Sequence, residues 1–243
     1  MSASHASGSL DDGASSAADD RTLIRIGAVS AIIGAVLFMV ANILHARSPN
    51  IEITQAQIEA VAASDIWLTD HLVLLVSGLL LLGGLVALRK SISGQPGAAW
   101  AEFGYVSALV STGLWVVLIG LDGITSKVVH DAYAAAPGAG TLAIAEMMEE
   151  IDIGLFSTFI IVFFGVTLLL YGLGVAFSDN YPRWLGWVAV VLATASLITG
   201  FVQAYTGLSV LVTSMLFSSF SSFLTLWLLT MGVLMWRRTR VAS

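Results

Sequence analysis

Imidazoles and carboxylates gather where the apolar stretches of this chain end. His45 closes the first stretch, the Asp70–His71 pair opens the second, and Asp122 stands at the far end of the third. Two imidazoles and one carboxylate suit Zn²⁺ or another borderline divalent metal. Two histidines at similar depth on adjacent helices also suit the axial positions of a haem iron. A third reading gives these groups no ligand: they cap helices and meet the headgroup layer. The sequence has no HExxH and no closely spaced ligand pair to decide among the three. Asp70 and His71 are adjacent, so on a helix they diverge by about 100° and are not expected to serve one centre together. A carboxylate from another helix is the better expected partner for His71.

Glu102 is a separate case, one turn inside the opposite end of the third stretch. A carboxylate against lipid is costly, so it is expected to face the bundle, neutralise or reach the headgroups; a proton path is the sharper alternative. Further along, Ser214, Ser218 and Ser222 recur at four-residue spacing, and Thr199 and Gln203 mark a polar side of the preceding stretch. Gln203, Ser218 and Ser222 are candidates to line a polar groove for protons, ions or a small solute. Their hydroxyls are equally well satisfied by carbonyls of their own helix.

The elements that must position these groups are membrane spans. Trp67–Lys90 carries no charge from Leu72 to Leu88 and ends abruptly on Arg89–Lys90. Comparable stretches cover about 22–45, 67–88, 100–121, 153–177, 184–205 and 211–236. Only 11% of residues are charged, against roughly 25% in soluble domains, which leaves too little charge to coat a globular surface. The expected fold is therefore all-α, a polytopic membrane bundle of six transmembrane helices. Residues 1–20 are small, polar and acidic and read as a disordered tail, with His5 in it carrying no functional weight; residues 21–243 form the membrane domain. Thr54-Gln-Ala-Gln57 has capping-box spacing before a short surface helix. Residues 122–152 read as the longest connection, broken at Pro137-Gly-Ala-Gly140. Its second part alternates Leu142, Ile144, Met147, Met148 and Ile151 with Glu146, Glu149 and Glu150, and reads as an amphipathic helix lying at the interface or leading directly into the fourth span. Contact with the bundle itself is the better expectation for that acidic helix.

Orientation follows from the basic residues. With both termini cytoplasmic, that side holds Arg21, Arg25, Arg89, Lys90, Arg183, Arg237, Arg238 and Arg240, and the other side only Arg47 and Lys127. The plasma membrane is the expected location, and the amphipathic segment is then extracytoplasmic. The net charge of −6 speaks against a nucleic-acid partner, and the absence of cysteine excludes disulfides, Fe–S centres and thiolate nucleophiles. There is no Walker lysine motif for an ATP-driven pump and no lysine in any span for a retinal Schiff base. Gly27, Ala31 and Ala35, with Ser30 and Gly34, form small-residue faces; the expected partners are the lipid bilayer and a second copy through such faces.

Asn42-Ile-Leu-His45, Asp70-His71 and Tyr181-Pro-Arg-Trp-Leu-Gly-Trp187 together carry a resemblance over most of residues 22–236. The chain resembles a family of small multi-pass membrane proteins of domain-of-unknown-function type (DUF4386-like). That resemblance implies the six-span bundle and carries no catalytic residues or cofactor. The functional expectation is an integral membrane protein in a non-catalytic or accessory role. The alternatives are a transporter or channel for protons, ions or small solutes, and a metal- or haem-binding protein using His45 and His71.

Overall fold

The computed structural model describes residues 6–241, and no strand occurs among them. We number the helices α1 (Ala6–Leu44), α2 (Thr54–Ala62), α3 (Trp67–Ile92), α4 (Ala98–Ala135), α5 (Ala139–Phe177), α6 (Arg183–Thr206) and α7, which begins at Val210 and whose second part is Ser218–Val241. All except α2 contain a window long and apolar enough to cross a membrane, six in total. This is a membrane protein with an all-α helical bundle. α1 starts at Ala6, so from there onward helix replaces the tail expected over residues 1–20; the first five residues, His5 among them, lie outside the described ones.

Successive spans are neighbours around a ring. α1 packs on α3, α3 on α4, α4 on α5, α5 on α6 and α6 on α7, and α7 returns to α1 to close it. One end collects the basic residues. There Lys90 pairs with Asp20 (2.9 Å), Arg25 donates to the Thr239 carbonyl (2.9 Å), and Arg238 donates to the Asn180 side chain (2.7 Å). We call this the arginine end and the opposite one the histidine end.

Hydrocarbon supplies no hydrophobic drive between helices, so the spans hold through close packing. The small-residue faces of α1 are consumed in this way. Ala28, Ala31 and Ala35 are at most 3% exposed, and a Cβ on Gly27 or Gly84 would collide with Ala87 or Ala31 across the α1–α3 seam. These faces therefore take part in closing the bundle itself.

Two expectations about the connections change. Residues 122–135 are not a connection: α4 runs on as helix to Ala135, widened by a π-helical segment over Ile119–Thr125. α5 then starts after the break near Pro137 and leads without interruption into its span, again through a π-helical segment, Ile160–Thr167. The helices simply overshoot the apolar layer, because composition marks where lipid ends and not where helix ends. The projecting parts of α4 and α5 meet α2, with Ile58, Tyr133 and Ala145 buried together. The acidic helix thus contacts its own bundle. The Thr54–Gln57 box does not form: Ile53 is the N-cap without a side-chain bond, and the Gln57 amide oxygen accepts from the Ser48 backbone N–H (2.9 Å).

Candidate functional site

At the histidine end α1 delivers His45 into the angle between Asp70 and His71. His45 Nδ1 lies 2.7 Å from Asp70 Oδ2, and the two imidazole rings stand 5.0 Å apart between centroids. His45, Asp70 and His71 each offer a ligand atom, and these atoms all lie within 4.8 Å of one another. This corrects the expectation that adjacent Asp70 and His71 would not share a centre. They do diverge, but the third group sits between them. His71 is fully buried and Asp70 nearly so, both within the first turns of α3.

The hydrogen bonds around His71 fix its tautomer. Nδ1 lies 2.7 Å from the Trp67 carbonyl, which only accepts, so Nδ1 carries a proton. Nε2 lies 3.1 Å from Asp122 Oδ2. A lone pair and a carboxylate oxygen at that distance need a cation between them, either a proton or a metal ion. Asp122 comes from the π-helical segment of α4, and π-helical turns of this kind concentrate at functional sites. The segment is held against α3 by Trp67, whose indole N–H donates to the Asp122 carbonyl (3.1 Å). Gly123 permits the approach, since a Cβ there would stand 2.5 Å from His71 Cβ. Trp67 also lies against both imidazoles, at 4.9 Å from His45 and 4.3 Å from His71 between centroids. No slot for a porphyrin remains between the two rings, which removes the haem alternative.

A second polar group continues the first along α4 and α5. Ser126 donates to Asp152 Oδ2 in a short hydrogen bond, and His130 Nε2 stands 3.3 Å from Glu149 Oε1. Asp152 is 7% exposed, and its Oδ1 finds no partner among the described residues. These residues were not foreseen as a site. The available signal was the four-residue spacing of Asp122, Ser126 and His130, which places them on one face of a helix that composition alone did not reveal.

Beside both groups lies a cavity of about 610 Å³ inside the ring. His45, Asp122, Glu149 and Asp152 line it at the histidine end, and Ser214, Ser218 and Ser222 line its α7 side. Its apolar part is closed by an aromatic cluster: Trp115 stacks on Phe159 (4.5 Å between centroids), and Phe38, Phe164 and Phe217 complete it. Arg47 stands at the mouth. Desolvation lowers its guanidinium from the ordinary value, with the Asp70 charge opposing that shift.

The remaining candidates sort by place. Ser218 and Ser222 face the cavity, yet Ser218 donates to the Thr213 carbonyl (3.2 Å) and Ser222 to the Ser218 carbonyl (2.6 Å), so their hydroxyls are also satisfied locally. Gln203 is buried outside the lining, donating to Ser157 Oγ (3.1 Å) and accepting from Thr213 (2.8 Å). Glu102 is at the arginine end, half exposed, bonded through both oxygens to Arg89 Nε (2.8 Å). Glu102 is not among the residues that line the cavity.

Compared with protein-family models, with curated proteins and with solved structures, the chain gives no match. The site must be read from its own chemistry. His45, Asp70 and His71 are the residues that build it.

Gly123→Ala provides a test of this assembly. The added methyl should push the α4 segment off His71, lower stability by about 1–3 kcal/mol, and change the ¹⁵N shift of His71 Nε2. Nitrogen spectra of selectively labelled protein that show an unaltered His71 ring would contradict the geometry.

Proposed function

We propose that this membrane protein binds one divalent transition-metal ion at its histidine end, through His45, Asp70, His71 and Asp122. The single observation that supports the reading most strongly is the three-residue group with ligand atoms within 4.8 Å, two of its members buried. Ligands on one tetrahedral centre sit roughly 3–4 Å apart, so the set closes by about 1 Å on binding. His45 is the member free to move, being the only one of the three that is not buried. Asp122 Oδ2, at 3.1 Å from His71 Nε2, already stands at a spacing two ligands of one ion would adopt.

The donor chemistry narrows the ion. Imidazole and carboxylate without thiolate suit Zn²⁺, Fe²⁺ or Mn²⁺ better than soft monovalent copper. The Trp67 carbonyl holding His71 Nδ1–H is the outer-shell contact that metal-bound histidines use to fix the opposite nitrogen toward the ion. A divalent charge also offsets the carboxylates of Asp70, Asp122, Glu149 and Asp152, which converge in a region of low dielectric. Binding of the ion is the function assigned.

The same reading places the site on the outer face of the plasma membrane, with both termini cytoplasmic. Its support is the basic bias: Arg25, Arg89, Lys90, Arg183 and Arg238 share the arginine end. The resemblance to the multi-pass family stays a proposal on the motifs that carry it.

Two experiments test these statements. Protein purified without chelators should carry about one divalent ion per chain by elemental mass spectrometry, and His71→Ala should lose it while Glu102→Gln retains it. A metal-free wild type whose unfolding temperature ignores added Zn²⁺, Fe²⁺ and Mn²⁺ would overturn the assignment. For topology, single cysteines are informative because the chain has none. Asn50→Cys should react with an impermeant maleimide on intact cells and Ser93→Cys only after lysis; the reverse pattern would invert the orientation.

A further inference from the structure

We propose that the cavity takes a single-tailed amphiphile with a hydroxyl-bearing head, admitted sideways from the membrane between α1 and α7. This goes beyond the metal reading and does not depend on it.

The first observation is where the lining is exposed. Almost all lining residues are buried or half-buried, but Ile43 in the last turn of α1, Arg47 just after it, and Ser222 and Leu226 on α7 are exposed. Ile43 is 81% exposed. The exposed rim thus belongs to two elements facing each other across one gap. Ile43, Ser222 and Leu226 lie within or at the edge of apolar spans, so that gap opens toward hydrocarbon. α1 and α7 touch closely nearer the arginine end, where Gly232 backs onto the Ala28 carbonyl, whereas α1 makes little or no contact with Val210–Phe217 at the start of α7.

The second observation is the polarity gradient. Phe38, Trp115, Phe159, Phe164 and Phe217 give an apolar body suited to a chain of methylenes. Asp122, Glu149 and Asp152 give an acceptor-rich end. The volume of about 610 Å³ falls within the roughly 300–1,000 Å³ of small-molecule sites.

The third observation selects the head. Asp152 lines the cavity, is 7% exposed, and leaves Oδ1 without a partner. A buried carboxylate oxygen calls for a hydrogen-bond donor. An anionic head would meet three acidic side chains; a hydroxyl donates to Oδ1 without burying a second charge, and the amine probe below tests the cationic alternative. The rule that buried polar atoms are paired therefore points to an alcohol head at Asp152 and a tail leaving past Ser222 and Ile43.

The full chain in phosphatidylcholine nanodiscs can be exposed to three photoreactive probes of equal length: a diazirine-bearing hexadecanol, the corresponding fatty acid and the corresponding primary amine. The alcohol should label residues on α1 and α7 most strongly, and Asp152→Ala should reduce its advantage over the acid about tenfold. Ser222→Trp should block the gap and lower alcohol labelling about tenfold. Ser219→Trp, on the exposed face of the same helix outside the lining, should leave it unchanged. Equal labelling of the Ser222→Trp and Ser219→Trp proteins, or a preference for the acid or the amine, would overturn the proposal. If Asp152→Ala does not fold, the probe series on the wild type and the two tryptophan variants decide it. Metal content measured on the same samples separates the two readings: labelled, metal-free protein retains this inference and sinks the metal site, and metal-loaded, unlabelled protein does the reverse.

Discussion

The seam between α1 and α3 is the constraint on which the rest of the structure depends. Gly27, Ala31 and Gly34 on one helix meet Gly84, Ala87 and the backbone near Ser77 on the other at distances no larger side chains would allow. In a bilayer such contact has little competition from lipid tails and is a main source of helix association. It also has a consequence at the end of the seam. Because the two backbones run so close, the last turn of α1 reaches over the first turns of α3, and His45 falls between Asp70 and His71. Any wider spacing would leave His45 above an empty angle and His71 with Asp122 alone.

Around that seam the polar groups are arranged under one rule, that charge in a low-dielectric region must be answered locally. At the arginine end the answer is paired side chains near the headgroups, as with Arg89 and Glu102 or Lys90 and Asp20. Such exposed pairs are worth only about 0–1 kcal/mol each and serve mainly to set orientation. At the histidine end the carboxylates lie against imidazoles, and the Arg47 guanidinium stands near Asp70. The cavity follows from the same layout, since helices that diverge to make room for this polar end leave space above the aromatic cluster.

Much of the fold was legible in the sequence because its signals are strong and local. Uninterrupted apolar length located the six spans, and Arg89–Lys90 marked the end of the second. Ser214, Ser218 and Ser222, spaced four apart in the sequence, lie along the α7 side of the cavity. What failed to show was long-range. The continuation of α4 to Ala135 is carried by residues of mixed polarity, so hydropathy ended the span where the helix went on. His130 therefore falls in what hydropathy marks as the connection, and Glu149 in the amphipathic segment that follows it. The convergence of Asp70 and His71 depends on α1, a separate helix whose register no local pattern reports. Glu102 needed its partner thirteen positions back, across a turn, before its place at the headgroups was fixed.

X-ray absorption at the edge of the bound metal tests the central claim most directly. The account predicts a nitrogen and oxygen shell at about 2.0–2.2 Å with the multiple-scattering signature of two imidazoles, reduced to one in His45→Ala and abolished in His71→Ala. An ion ligated by oxygen alone, with a spectrum identical in the wild type and both variants, would contradict it.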